Sequence, residues 1–360
     1  MHGDKSSSVS DGAVRSVCLL RLSALGDVTH ALPIVHALRT QSPGTRISWV
    51  VGRNEARLLS ALTDVELLIY DKRGGLAACN ALRRTLADRH FDALLLMQMS
   101  LRASLLSTAI KARSRIGFDL ARSREGHALF CNQRIVAGGH HVIDVFGQFL
   151  LPLGLHLRDI RWQLPIPESA RDWARAQLPG PQATLMISPC SSHPLRNWLP
   201  QRYAQVADYA ASRHGMRIAL IGGRSNSERA MGDAIIGSMQ HPVVDLIGKD
   251  RIEQLPALLQ RASLLLSPDS GPVHIANAVA TPVLGLYACT DAERSGPYHS
   301  RRYCVNHYAQ AAQRFFKRDP ATLRWGQRLE KPGVMALIQS GEVIDRLERW
   351  IADQDAAVAR

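Results

Sequence analysis

The sequence of 360 residues predicts an α/β protein made of two doubly wound domains. Short apolar runs alternate with longer amphipathic stretches, and this alternation occurs once in each half of the chain. Continuous apolar runs of this kind are typical of parallel strands that helices cover on both faces. A chain of this length also fits two domains of ordinary size.

In the first half, four apolar runs predict strands, and the stretches between and after them predict helices. The strands are predicted at 14–22, 47–52, 65–71 and 92–98, and the helices near 28–41, 54–62, 75–90 and 101–112. In the second half the same alternation predicts five strands and four helices. The strands are predicted at 184–189, 217–223, 243–248, 263–268 and 282–288, and the helices near 200–214, 225–239, 252–262 and 271–280.

A segment rich in proline and glycine, 155–183, predicts the boundary between the two domains. The polar segment 1–13 carries no hydrophobic stretch, so we expect a disordered lead-in rather than a secretory signal. We therefore expect a first domain at 14–165, a second at 166–332, and a C-terminal helix within 333–360 that packs back on the first domain.

The net charge predicts an anionic partner. Lys and Arg number 44 against 31 Asp and Glu, which gives a net charge of +13. Such a charge suits nucleic acid, an anionic membrane surface or an acidic small substrate. The six cysteines form no CxxC pair, so we expect reduced thiols in a cytoplasmic protein.

Ligands of open parallel sheets bind beyond the carboxyl ends of the strands, so we expect the chemistry in the loops that follow strands. The first such loop spans 21–33, where Gly26 permits a sharp turn and Asp27 stands at the helix start. Asp27 either satisfies free N–H groups of the helix or acts as a general base. Spacing alone leaves both interpretations open.

Two loops of the second half suit phosphate oxygens. The loop 188–200 places Ser191, Ser192 and Arg196 before a helix, and hydroxyls and guanidinium groups bind phosphates. The loop 267–276 enters a helix at Gly271, and helix N-termini attract anions. An ordinary polar loop and a plain capped helix are the alternatives.

Several motifs of other site types are absent. The sequence has no GxxxxGK[ST], no GxGxxG after the first strand and no GxSxG, and its His, Asp and Cys lack metal-ligand spacing. We expect neither a dinucleotide site nor a metal site.

Taken together, the loops resemble those of glycosyltransferase family nine, the ADP-heptose:lipopolysaccharide heptosyltransferases. The similar segments occur in the family's order over about residues 14–300: RLSALGDVTHALP, SSHPLRNW, LIGGRSNSER, DLIGKDRIEQLPALLQRA and SPDSGPVHIANAVATPVLGLY. The first is similar to the family's S-x-x-G-D-x-x-x-x-x-P signature, and the last to its D-[ST]-G-x-x-H-x-A signature.

The resemblance implies a GT-B fold, in which two Rossmann-like domains face each other across a cleft. It implies inverting, metal-independent transfer of a heptose from ADP-heptose to a lipopolysaccharide core acceptor, without a cofactor. Asp27 falls on the family's general base. The positions that bind the donor fall on Ser192, Arg196, Glu228, Leu246, Gly248, Asp269, Ser270, Gly271 and His274.

Individual roles follow from the same resemblance. Ser192, Arg196, Ser270 and Gly271 fall on the diphosphate contacts. Glu228 falls on the ribose contact, Leu246 and Gly248 near the adenine pocket, Asp269 on the sugar-binding acid and His274 on the signature histidine. The chain departs from the family in having Arg196 in place of a lysine and Ala288-Cys-Thr290-Asp291 in place of Gly-Pro-[ST]. These departures concern the donor sugar rather than the reaction class.

A basic segment in the first half suits an anionic acceptor. Arg102, Arg113, Arg115, Arg122 and Arg124 form a rim for a phosphorylated or carboxylated lipid-linked saccharide, or else part of a solvated helix face. The resemblance implies a peripheral protein at the cytoplasmic face of the inner membrane, where lipid headgroups are anionic. We expect a monomer.

Two other function classes compete with a glycosyltransferase. A nucleotide-sugar epimerase or hydrolase of the same fold would interconvert or release the sugar rather than transfer it. A nucleic-acid-binding protein would explain the charge, but the sequence lacks the signatures of the common nucleic-acid-binding motifs.

Overall fold

The computed structural model describes residues 14–358, so the predicted lead-in 1–13 lies outside the described residues. The chain divides into two compact units, Met1–Gln163 and Leu164–Arg360, close to the predicted boundary. Each unit contains one six-stranded sheet whose neighbouring strands are parallel. The predicted fold class, two doubly wound α/β domains, is confirmed. All six cysteines are free thiols.

The first unit has the strand order β3-β2-β1-β4-β5-β6. Its strands are β1 (Ser16–Leu20), β2 (Arg46–Gly52), β3 (Glu66–Tyr70), β4 (Phe91–Leu96), β5 (Ala112–Gly117) and β6 (Gln133–Arg134). Its helices are α1 (Leu25–Gln41), α2 (Arg53–Leu58), α3 (Gly75–Thr85), α4 (Leu101–Ser107) and α5 (Val142–Gly147). Residues of α1 are buried from Val28 to Leu38, as expected of a helix that is apolar on every side.

The second unit has the strand order β12-β11-β10-β7-β8-β9. Its strands are β7 (Thr184–Ile187), β8 (Arg217–Leu220), β9 (Val243–Asp245), β10 (Leu264–Pro268), β11 (Val283–Tyr287) and β12 (Val305–Asn306). Its helices are α6 (Glu168–Gln177), α7 (Pro200–His214), α8 (Asn226–Ile236), α9 (Leu255–Gln260), α10 (Gly271–Ala278), α11 (Ala292–Ser295), α12 (Tyr308–Phe316) and α13 (Ser340–Val358). The strands β7, β10 and β11 are wholly buried because helices cover both faces.

The two sheets share one connectivity. In the first, the order of the strands reverses between β1 and β4, and in the second between β7 and β10. Ligands of doubly wound sheets bind at such reversals, beyond the carboxyl ends of the strands. All three loops that the sequence analysis selected follow strands of these two pairs.

Among the described residues, three strands were not predicted from the sequence. The predicted helix 101–112 ends at Ser107, and β5 begins at Ala112. The sequence of β5, ARSRIG, contains no apolar run, so no strand was predicted there. The fold accommodates Arg115 in the strand because its side chain donates to carbonyl groups of the protein. The other two, β6 and β12, are two-residue strands at the sheet edges, which is too short for a periodic signal.

The C-terminal helix differs from expectation. The sequence analysis placed the helix of 333–360 on the first domain, whereas α13 packs against α7 and β11 of the second unit. Val343, Leu347 and Trp350 belong to that unit's apolar core. The hydroxyl of Tyr209 on α7 donates a hydrogen bond to Glu348 at 2.9 Å. The apolar stripe of α13 therefore completes the core of the second unit.

Candidate active site

The reversal in the first sheet is held together by side chains from two loops. The backbone N–H of Leu22, after β1, donates to Gln98 Oε1, after β4, at 2.7 Å. Arg21 donates from Nη1 to the carbonyl of Met97 at 2.5 Å. The Arg21 guanidinium also lies 5.6 Å from the centre of the Phe146 ring. Arg21 is thereby fixed at the carboxyl edge of the sheet.

Asp27 is the third residue of α1 and pairs with Arg21. Its Oδ2 accepts a hydrogen bond from the backbone N–H of Ala24 at 3.2 Å and forms the ion pair with Arg21 Nη2. The side chain of Asp27 is 35 % exposed, so solvent and a substrate can reach it. Arg21 and the N–H of Ala24 hold the carboxylate in place while part of it stays exposed. The two interpretations of Asp27, a helix-start group and a base, are compatible in this geometry.

Arg196 occupies the loop after β7 as a buried cation. Its Nη2 donates to Ser192 Oγ at 2.5 Å, and its Nε lies 3.3 Å from Glu330 Oε1. Burial lowers the pKa of Arg196, and the like charge of Arg328 lowers it further. Burial and the charge of Arg328 both destabilise the positive charge of Arg196. An anion bound beside Arg196 would stabilise that charge.

The loop after β10 leads into α10 with a serine at its N-cap. The hydroxyl of Ser270 is within 2.9 Å of Ser267 Oγ and does not cap the first turn of α10. Gly271 is the first residue of the helix. Backbone N–H groups at this point carry the positive end of the helix dipole and suit an anion.

Asp269 and His274 form a second pair at this loop. Asp269 Oδ1 lies 3.4 Å from His274 Nε2, and the Asp269 side chain is 14 % exposed. Burial alone would raise the pKa of Asp269, but its hydrogen bond with His274, the charge of His274 and the hydrogen bond of Thr290 together lower that pKa. The carboxylate is therefore ionised at neutral pH and can accept hydrogen bonds from hydroxyl groups of a ligand.

Both carboxylate oxygens of Glu228 accept hydrogen bonds from the loop that precedes it. The backbone N–H of Gly223 donates to Glu228 Oε1 at 2.8 Å, and Ser225 Oγ donates to Glu228 Oε2 at 2.7 Å. The N–H of Glu228 also donates to Ser225 Oγ, so the serine side chain caps the start of α8. To contact a ribose as predicted, one of these carboxylate oxygens has to accept a second hydrogen bond, from a ribose hydroxyl.

Leu246 and Gly248 adjoin that loop through the backbone. The N–H of Gly248 donates to the carbonyl of Gly222 at 2.8 Å, and the N–H of Leu246 donates to Leu220 at 2.8 Å. Gly248 has a φ of +75°, a conformation that favours glycine. These contacts bring Leu246 and Gly248 to the same edge of the second sheet as Glu228.

The predicted basic rim splits into two groups. Arg115 donates to the carbonyls of Phe130 and Ile110 and to Ser107. Arg122 pairs with Asp119 at 2.6 Å and donates to two glycine carbonyls. Both are engaged with the protein itself. The arginines that remain exposed are Arg102, Arg113 and Arg124.

Sequence reasoning gave no role to three residues that contact the predicted ones. Arg21 pairs with Asp27, Glu330 with Arg196, and Thr290 with Asp269. Arg21 follows β1 directly and Thr290 lies three residues after the end of β11, positions after strands that could have marked them. Glu330 comes from a weakly periodic segment, and no local pattern marks it. In the described part of the chain, no three His, Cys, Asp or Glu side chains are grouped to hold a metal ion. Among residues 14–358, no helix is long and apolar enough to span a bilayer.

Comparisons with known proteins identify the family of the chain. A family model described as glycosyltransferase family 9 (heptosyltransferase) matches residues 79–323. The chain is 37 % identical over 338 residues to the lipopolysaccharide core heptosyltransferase OpsX of Haemophilus influenzae, covering 94 % of this chain and 97 % of that protein.

Solved structures share the fold at lower identity. The family 9 glycosyl transferase of Veillonella parvula superposes with a TM-score of 0.77 at 21 % identity, covering 94 % of this chain and 97 % of that one. The heptosyltransferase WaaC of E. coli, solved with ADP, superposes with a TM-score of 0.71 at 19 % identity, covering 93 % and 99 %.

Proposed function

The chain belongs to glycosyltransferase family 9, and on that premise we propose that it transfers a heptose from ADP-heptose to a lipopolysaccharide core saccharide. The observation that carries this proposal is the grouping of anion-binding features at the reversal of the second sheet. Arg196 and the N-terminus of α10 suit a diphosphate, and ionised Asp269 suits sugar hydroxyls. The relative OpsX, which covers nearly the whole chain, is a lipopolysaccharide core heptosyltransferase.

The proposed reaction inverts the anomeric centre in one displacement. The acceptor hydroxyl oxygen attacks the anomeric carbon while Asp27 takes the hydroxyl proton. The bond from the anomeric carbon to the β-phosphate oxygen breaks, and its electron pair leaves with ADP. Arg196 and the N–H groups at Gly271 stabilise the charge that develops on the diphosphate, so the step needs no metal ion. Inversion requires only one base and one stabiliser of the leaving group.

The remaining donor contacts follow the geometry of the second unit. Ser192 supports Arg196, and Ser270 lies at the start of α10. His274 orients Asp269 toward the sugar. We propose that Glu228 holds the ribose and that the backbone at Leu246 and Gly248 lines the adenine pocket.

On the acceptor side, the exposed arginines Arg102, Arg113 and Arg124 suit an anionic saccharide. We propose that the acceptor is lipid-linked and that the protein works as a monomer, peripherally, at the cytoplasmic face of the inner membrane. Nucleic acid is not favoured as the anionic partner, because the family acts on saccharides. An epimerase or hydrolase is not favoured, because the matching family and the 37 % identical relative are heptosyltransferases.

A screen of nucleotide sugars tests the donor. A ligand that binds only the folded protein raises its unfolding midpoint. We expect ADP-heptose to raise it, and UDP- and GDP-sugars to leave it unchanged. Mass spectrometry of a heptose-deficient core acceptor should then show the added heptose. Release of free heptose without transfer would identify a hydrolase instead.

A further inference from the structure

We propose that one face of the first unit docks on an anionic lipid bilayer. The large apolar side chains that are most exposed among the described residues all belong to this unit: Ile69, Leu76, Leu101, Leu105, Leu120, Leu129 and Val136. Leu101, Leu105 and Leu129, exposed by 49 %, 55 % and 87 %, lie on two adjoining elements. We call these three residues the leucine face.

The leucine face is held by ordered structure. Leu101 and Leu105 are four residues apart on α4 and so lie on one side of it, while Ala103 and Leu106 are buried in the core. Leu129 lies on the short 3-10 helix His127–Phe130.

The partly buried side chain of Arg115 joins the two elements. Arg115 donates to Ser107 at the end of α4 and to the carbonyl of Phe130 beside Leu129. The backbone N–H of Leu101 donates to Glu125 Oε2 at 2.7 Å, which ties the start of α4 to the same segment. The three leucines are therefore exposed on elements that hydrogen bonds hold in place.

The segment that carries the leucine face is rich in exposed cations. Within 99–138 the exposed cations are Arg102, Lys111, Arg113, Arg124 and Arg134. Of the two acids in this segment, Asp119 pairs with Arg122 inside the fold and Glu125 bonds to the start of α4. Exposed leucines on a segment with many exposed cations are typical of surfaces that insert shallowly at a membrane interface. There the burial of apolar side chains and the attraction to anionic lipids both contribute to the binding free energy.

The position of the face favours a membrane over another partner. Helix α4 follows β4, and the carbonyl of Met97 between them accepts a hydrogen bond from Arg21, the partner of Asp27. The start of α4, which carries Leu101, and the proposed base Asp27 on α1 thus both follow carboxyl ends of neighbouring strands of the first sheet. A bilayer contacted here would hold the lipid part of an acceptor close to Asp27. The proposal rests on the proposed function only for this lipid-linked acceptor.

Vesicle sedimentation tests the docking without requiring turnover. The protein is mixed with vesicles of phosphatidylethanolamine and phosphatidylglycerol, or with vesicles of phosphatidylcholine alone. The test variant carries Leu101→Ser, Leu105→Ser and Leu129→Ser. The control is Leu76→Ser on α3, which alters a leucine that is 84 % exposed but lies off the leucine face. Since all four side chains are exposed, unfolding midpoints should match that of the wild type.

We expect the wild type and the Leu76→Ser control to bind the anionic vesicles, more weakly at high salt, and to bind phosphatidylcholine vesicles poorly. The triple variant should need about tenfold more lipid, or more, for half-maximal binding. Wild-type binding by the triple variant, or no binding by the wild type, would overturn the proposal. So would binding that appears only when acceptor lipid is added, or a change in oligomeric state of the triple variant.

A second measurement separates docking from catalysis. The triple variant should keep wild-type turnover on an acceptor whose acyl chains have been removed, and lose turnover on the same acceptor embedded in vesicles. Equal loss on both acceptors would contradict the docking role. If the wild type binds anionic vesicles and transfers heptose to neither acceptor, the proposed function fails while the docking surface stands.

Discussion

The carboxylate of Asp27 serves two contacts at once, the N–H of Ala24 and the guanidinium of Arg21. An asparagine of the same shape keeps a carbonyl oxygen for the N–H and loses the ability to take a proton. The contact of Asp27 at the helix start and its proposed role as a base can therefore be separated by a single substitution.

We expect Asp27→Asn to lower kcat by about 10²–10⁴-fold, the usual contribution of a general base. ADP affinity should stay at the wild-type value, since the residues that we propose to bind the donor all belong to the second unit. Steady-state kinetics and calorimetric titration with ADP measure the two quantities. A kcat that is unchanged in the variant would refute the role of base.

Asp269 predicts a pH dependence of stability. Its pKa is lowered in the folded protein from the ordinary value of 3.8, because its contacts with His274 and Thr290 outweigh burial. A carboxyl of this kind contributes stability that is fully present above its unfolded pKa and is lost as pH falls through its folded pKa. Asp269→Asn removes that contribution.

We therefore expect the difference in unfolding midpoint between the wild type and Asp269→Asn to be constant near neutral pH and to shrink below about pH 4. Melting curves across this range measure it. Asp88→Asn, at an exposed position of the first unit, is the matched control. A difference that grows on acidification would contradict the proposed direction of the Asp269 shift.

At the scale of elements, Arg115 joins β5, the end of α4 and the 3-10 helix that follows. Its donors are satisfied by carbonyl and hydroxyl oxygens of the protein. Losing a partly buried cation with several such bonds leaves the accepting carbonyls without partners.

Arg115→Ala should lower the free energy of unfolding by about 1–3 kcal/mol or more. Arg113→Ala, two residues earlier on the same strand and exposed, should change it by less than about 0.5 kcal/mol. Chemical denaturation of both variants provides the comparison. Equal stability of the two, with a raised KM for acceptor only in Arg115→Ala, would instead favour acceptor binding by Arg115.

The elements also show why sequence predicts some features and misses others. Strands such as β1 and β10 are buried on both faces, so their apolar runs identify them and the loops that follow. This is how Asp27 and Asp269 could be selected. The strand β5 has a polar sequence, and it accommodates Arg115 because this side chain donates to a carbonyl of the protein. Glu330 contacts Arg196 from a segment far along the chain. Contacts of that kind depend on tertiary packing, which no local pattern records.

At the scale of the whole molecule, each unit has its own core, and the residues that we propose to bind the donor all belong to the second unit. We expect ADP to slow amide hydrogen exchange at the loops of the second unit that carry these residues. The segments are 188–197, 222–228, 246–250 and 269–278. Mass spectrometry of peptides would map the effect. Protection confined to the Asp27 loop would contradict the assignment of the donor to the second unit.

The shared connectivity of the two sheets makes α4 the counterpart of α10, because each follows the strand beside the reversal. Both helices have a serine at the N-cap. On α4 the hydroxyl of Ser100 accepts a hydrogen bond from the N–H of Ala103 at 3.3 Å, whereas on α10 the hydroxyl of Ser270 turns toward Ser267. The same arrangement of strands and helices therefore occurs twice in the chain, and the N-cap serine caps the helix in α4 and leaves it uncapped in α10. If the second unit binds the nucleotide as we propose, changes in the loops of the first unit alter the acceptor without altering the donor.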